Sequence, residues 1–177
     1  MNSRKILQDA LNHKIPEKIP MDFGGTMCSG MHVTCIAALR DYYGLEKIPV
    51  KVHEPFQMLG YIDEDLKQVI GVDVEGVNPK NTLFGFENKN WQEYRLDNGL
   101  EVLVSENFKT TKDENKNTYI YPEGDLSAKP SGKMPYGGYY FDAIIRQEEF
   151  DDDNLNPEDN LEEFKLIGDD TVSYFKE

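Results

Sequence analysis

Residues 26 to 35 read TMCSGMHVTC and hold both cysteines of the chain and one of its three histidines. Cys28, His32 and Cys35 follow one another at offsets of four and seven from the first. On a helix that spacing places all three side chains on one face. Three soft ligands with an open fourth position make a catalytic zinc arrangement. A second chemistry is a thiol nucleophile at Cys28, activated by a helix N-terminus and by His32. A third is a hydrogen bond from His32 to a substrate. Plainer readings compete with each. Ser29-Gly30 reads as the start of the helix, which leaves Cys28 ahead of it. The spacing is not a standard zinc pattern, and a fourth ligand is not evident, so no metal site is assigned. Cys35 then reads as a small buried residue, and His32 as satisfying backbone groups in the first turn.

Other residues with chemistry lie further along. His13 sits in the turn NHKIP, and His53, ahead of a proline, reads as a loop residue. Tyr136, Tyr139, Tyr140 and Asp142 crowd the segment YGGYYFD, where they offer aromatic faces and a carboxylate to a site, or cover apolar surface. Met21, Met27, Met31 and Met58 read as core or pocket lining.

These residues need elements to hold them. Residues 3–12 form a short helix, with Ser3 as cap and Ile6, Leu7, Ala10 and Leu11 on one stripe. IPMDF, residues 19–23, reads as a strand closed by Gly24 and Gly25. A second helix fits residues 31–43 and ends at Gly44. Residues 55–70 carry another helical pattern, and GVDVEGVN, residues 71–78, reads as the next strand. Strand, helix, helix, strand implies parallel pairing through a helical crossover. Two hairpins follow. WQEYRLDNGLEVLVS, residues 91–105, turns through Asp97-Asn98-Gly99, and residues 108–124 turn through a polar tip. Together they predict an antiparallel β-meander. Residues 127–142 read as a Gly/Pro loop, 151–159 as solvated acid, and 160–177 as an acidic surface helix.

Charge narrows the class. The chain has 177 residues and a formal charge of -14. The span 148–177 holds twelve acids against two lysines, which is -10 of the total. A nucleic-acid binder carries the opposite sign, and an acidic membrane surface repels this chain. No apolar run approaches the roughly 20 residues that span a bilayer. The polar N-terminus is not a secretory signal, which points to a cytoplasmic protein with reduced thiols.

Three stretches, DALNHKIPEKIPMDFGG, TMCSGMHVTCIAALRDYYGLE and LSAKPSGKMPYGGYYFDAIIRQ, resemble the uroporphyrinogen decarboxylase superfamily. That superfamily also holds the cobalamin-dependent methyltransferases. The resemblance implies a (β/α)8 barrel with its active site at the C-terminal ends of the strands. This chain would supply an incomplete, N-terminal part of such a barrel, with the meander inserted. Residues 1–80 would be the first βα units, 81–125 the insertion, 126–147 the Gly/Tyr loop and 148–177 the tail. IPMDF becomes the first barrel strand, so the loop after it lies in the active-site mouth. Thr26, Cys28, Ser29 and His32 are then expected to face substrate, and Tyr139, Tyr140 and Asp142 to close over the mouth. His13 falls at the opposite, stability-bearing end.

Departures from the family set the functional expectation. The decarboxylases grip a substrate with many carboxylates through arginines in the first loop. This loop has none, and the chain has four in all: Arg4, Arg40, Arg95 and Arg146. The decarboxylases also hold their pyrrole NH groups with an acid beyond the second strand, where VEGVNPKN offers Asn78. Corrinoid-linked methyl transfer on a small substrate is therefore expected, with uroporphyrinogen decarboxylation as the alternative. No cofactor is evident in these residues; zinc and a corrinoid protein would enter with the rest of a methyltransferase. A third reading is a chain inactive alone, which pairs with a missing barrel half or with itself through unpaired edges and bare apolar faces.

Overall fold

The computed structural model describes residues 2–145 and 167–176, in two compact units, Met1–Ala143 and Ile144–Glu177. The first unit is mixed α/β. Helix α1 spans Ser3–Leu11 and helix α2 spans Val33–Tyr42. Strands β1 (Val50–Glu54) and β2 (Leu59–Gly60) precede helix α3 (Glu64–Ile70). Then come β3 (Gln92–Arg95), β4 (Glu101–Val104), β5 (Thr110–Lys112), β6 (Thr118–Ile120), β7 (Gly132–Met134) and β8 (Asp142–Ala143). In the second unit, helix α4 spans Asp169–Tyr174. The rest of the expected acidic tail lies outside the described residues. Among the described residues no helix is long and apolar enough to cross a membrane.

Two four-stranded sheets form, in the orders β2-β1-β4-β3 and β5-β6-β7-β8. Neither closes into a barrel. The two predicted hairpins are present, but they belong to different sheets and do not make one meander. The first hairpin pairs Tyr94 with Val102 across Asp97-Asn98-Gly99. Gly99 takes φ +87, a left-handed conformation that glycine adopts at little cost. Its strand β4 also pairs in parallel with β1, joining Val50 to Val102. The sequence reading had no strand at 50–54. VKVHE buries Val50, Val52, His53 and Glu54, so it lacks the clean alternation of a half-exposed strand.

Other expectations shift. Neither 19–23 nor 71–78 forms a strand. They still lie side by side: Asp73 N–H donates to Met21 O at 2.8 Å, and Met21 N–H donates to Asp73 Oδ2 at 3.0 Å. A carboxylate takes one place in what would be a ladder, so only one backbone bond forms there. Asp73 also accepts from Ser3 Oγ at 2.8 Å and pairs with Lys18 at 2.8 Å. These donors pull its carboxyl down to about 2. Asn2, not Ser3, caps α1, its side chain accepting from Lys5 N–H. The helix predicted over 55–70 is confined to α3, because 55–58 is a turn fixed by Glu54, whose carboxylate accepts from Phe56 and Gln57 N–H. The loop predicted over 127–142 contributes β7 and β8.

One core runs beneath both sheets. It joins Val33 and Ile36 of α2, Val50 and Val52 of β1, Leu66 of α3, Val102 and Val104 of β4, Ile120 of β6 and Phe141. Phe84, Phe108 and Phe141 meet edge to face at 6.1 to 6.2 Å. Arg40 is buried at the rim. Its guanidinium forks onto both Asp65 carboxylate oxygens at 2.9 and 2.8 Å, and its Nε–H donates to Glu46 O. That bidentate pair fastens α2 to the first turn of α3.

Candidate functional site

One candidate forms where four stretches converge: Thr26 and Met27, His53 and Glu54 of β1, residues 77–83, and Asn88. They enclose a cavity of about 240 Å³. Its entrance is apolar, with Val77 and Leu83 largely exposed. Its polar residues are Thr26, His53, Glu54, Asn78, Asn81, Thr82 and Asn88, and among the described residues no lysine or arginine lines it. A second cavity of about 100 Å³ shares His53 and Asn78 as wall residues and adds Phe23, Gly24, Tyr61, Ile62, Lys67 and residues 74–76.

His53 stands on β1, between β2 and β4, so its position is fixed. The ring is 8 % exposed and packs 4.9 Å from the ring of Tyr61. Burial lowers its pKa, so the imidazole is uncharged near neutrality. Its carbonyl accepts from Asn88 Nδ2 at 2.6 Å. Among the described residues no hydrogen bond reaches either ring nitrogen. Burial pushes the Glu54 carboxyl up, against the two backbone N–H groups that hold its charged form. Two further polar atoms, Thr82 Oγ1 and Asn88 Oδ1, are buried without a partner. Each such atom costs on the order of 1–3 kcal/mol, and such sites are where an unseen ligand or water belongs.

Glycine brings the walls together. A Cβ on Gly76 would stand 1.4 Å from Gly25 O, so these two backbones touch directly. The loops after 19–23 and within 71–78 can therefore share one cavity wall.

The residues singled out in the sequence divide between places. Thr26 lines the first cavity. Ser29 holds its own loop, its Oγ donating to Asp22 Oδ1 at 3.0 Å and its N–H to Thr26 O. Cys28 is exposed in the same turn, its N–H donating to Thr26 Oγ1. His32, Tyr139 and Tyr140 meet elsewhere, around an open hollow of about 550 Å³ with Thr34, Cys35, Phe56, Gln57 and Leu59. Asp142 is exposed on β8, opposite Lys133.

His32 is the N-cap of α2. Its Nδ1 accepts from Thr34 N–H at 3.2 Å, so the proton sits on Nε2, which donates to Tyr139 O at 2.8 Å. The reading in which His32 satisfies backbone groups is the one observed. Its pKa is lowered by burial and partly restored by the Tyr139 bond. Cys35 is exposed, not buried, because the buried stripe of α2 falls on Val33, Ile36 and Arg40. Tyr136, Tyr139 and Tyr140 are each more than half exposed, so they do not cover the sheets. Cys28, His32 and Cys35 do not fit zinc: both His32 nitrogens are engaged. Among the described residues no group of three or more His, Cys, Asp and Glu side chains is poised for a metal.

His53 lies on a strand and not in the expected loop, and Glu54, Thr82 and Asn88 join it in the lining without any sequence expectation for them. The available signal was the run VKVHEP, where two charged or titratable residues end an apolar strand at a proline. In comparisons with known proteins, no family model matches this chain, and no curated protein or solved structure matches it.

Proposed function

We propose that the cavity beside His53 binds a small, uncharged, mostly apolar molecule, as part of a uroporphyrinogen-decarboxylase-like enzyme of the corrinoid-linked methyl-transfer kind. The carrying observation is the lining. It has buried, unpartnered polar atoms at Thr82 and Asn88, the His53 ring beside them, and no cationic side chain among the described residues. A substrate bearing many carboxylates needs cations to replace its water, so the lining favours a small substrate over a tetrapyrrole. The volume, about 240 Å³, falls below the usual range of drug-sized pockets. The barrel reading is supported by the adjacency of 19–23 and 71–78 and by the way Thr26 and Asn78, which follow or end them, face one cavity. The chemical step is not assigned to these residues. A partial barrel in a cytoplasmic enzyme, and zinc and a corrinoid protein supplied beyond these residues, complete the proposal.

Titration of the isotope-labelled chain with benzyl alcohol tests the binding reading. Shifts at Thr82, Asn88 and His53, without comparable shifts for benzoate, are expected. No shift at these residues, or a preference for benzoate, sinks it.

A second reading, association with a further barrel part or a second copy, rests on Ile15, Ile19 and Val77, which are 98 %, 80 % and 78 % exposed. Sedimentation over a range of concentrations tests it; a monomer throughout excludes self-association.

A further inference from the structure

His53 belongs to the wall of two cavities, and a residue so placed does more than close one of them. We propose that the two cavities take one ligand between them: an elongated, uncharged molecule whose hydrogen-bonding group meets the His53 imidazole. This rests on the small-molecule reading above and adds the ligand's length, its polarity and the residue that centres it.

Three observations carry it. First, His53 and Asn78 line both cavities, so the two spaces share the wall that these two residues form. Second, apolar side chains stand on both sides, Met27, Val77 and Leu83 in the first cavity and Phe23, Ile62 and Val74 in the second, whose lining is otherwise the more polar. The polar centre lies between them, where neither imidazole nitrogen has a hydrogen-bond partner among the described residues. A neutral imidazole presents one donor and one acceptor, so it suits a hydroxyl, which is both. Third, the cation near the second cavity, Lys67, is paired with Glu75 at 2.8 Å. A ligand carboxylate would have to displace that partner.

The test is a chain-length series on the full chain. Benzyl alcohol reaches one cavity; 4-phenyl-1-butanol is long enough for both. The longer alcohol is expected to bind at least about tenfold tighter, given the value of each added buried methylene. It should shift Thr82 and Asn88 together with Val74 and Gly76 in one transition. 4-Phenylbutyrate, of the same length but charged, should bind about tenfold weaker than the alcohol, as burial of an unpaired carboxylate requires. His53→Phe should lose the advantage of the alcohol and His53→Gln should keep part of it, with Tyr139 resonances unmoved in both. If the longer alcohol gains nothing, or shifts only Thr82 and Asn88, the single-ligand proposal fails while the small-molecule reading stands. If 4-phenylbutyrate binds as well as the alcohol, the uncharged class is wrong. If neither alcohol binds, both readings fall.

Discussion

Two histidines of this chain occupy opposite situations. His32 has both ring nitrogens engaged, one capping α2 and one holding Tyr139. His53 is more deeply buried, and among the described residues neither of its ring nitrogens is bonded. Both are shifted toward the neutral form by burial. The lesson is that a depressed pKa alone does not separate a structural histidine from an available one. The inventory of hydrogen-bond partners does. His32 clasps the 136–141 segment onto α2, and a ligand could take it only by breaking that clasp. His53 has its bonding capacity left over.

The comparison can be broken most severely at Gly76. A methyl group there collides with Gly25 O, and overpacking of this kind costs on the order of 1–3 kcal/mol. Gly76→Ala should lower the denaturation midpoint and displace the Thr82 and Asn88 resonances while leaving the His32–Tyr139 clasp in place. Equal disturbance at both histidines would mean that the two regions are not independent.

Acid acts on both histidines in the same direction, so a variant must separate them next. A histidine whose folded pKa is depressed adds stability that is complete above its unfolded value, about 6.5, and is lost as pH falls from there toward the folded value. The slope for His53 is bounded by about 1.4 kcal/mol per pH unit. Glu54, raised by burial, acts in the opposite sense: its contribution is complete below the unfolded value and lost as pH rises through the folded one. Urea unfolding at pH 7.5, 6.5 and 5.5 should show a decline to which both histidines contribute and which Glu54 offsets, and His53→Phe should make that decline shallower. An unchanged slope in that variant would show that the ring is already solvated.

A smaller effect isolates the cap. His32→Ala removes the side-chain acceptor for Thr34 N–H and should cost about 1 kcal/mol. His32→Asn restores an acceptor but not the reach to Tyr139, so most of the stability should return while the Tyr139 resonance moves. If His32→Asn is as damaging as His32→Ala, the clasp and not the cap carries the energy. The smallest effect belongs to the exposed thiols. Cys28→Ser and Cys35→Ala should each stay within about 0.5 kcal/mol of the parent, and a larger loss in either would restore a structural role to that cysteine.

Much of the local structure was legible because its signals are local. Asn98-Gly99 between alternating runs announced the hairpin of β3 and β4. Gly44 announced the end of α2, and the Val33–Ile36 spacing announced its buried stripe. The site was harder to read. His53 and Glu54 lie on a strand that buries both faces near its end, and the alternation that reveals half-exposed strands is absent there. Thr82 and Asn88 come from irregular chain with no periodicity. The expected strands at 19–23 and 71–78 lie side by side without forming a ladder. Asp73 took a ladder position with its carboxylate instead.

The sequence by itself determined the hairpin turns, the Val33–Ile36 stripe of α2, the acidic balance and the absence of arginine from the first loop; the stripe expected on α1 leaves Leu11 largely exposed. Each of these depends on residues within a turn or two of one another. Only the tertiary structure decided that His32 caps and His53 faces two cavities, that the hairpins join separate sheets, and that Gly25 touches Gly76. Those outcomes depend on contacts between segments about 20 to 110 residues apart, and in such contacts burial and leftover hydrogen-bond capacity are set by the partner, not by the residue.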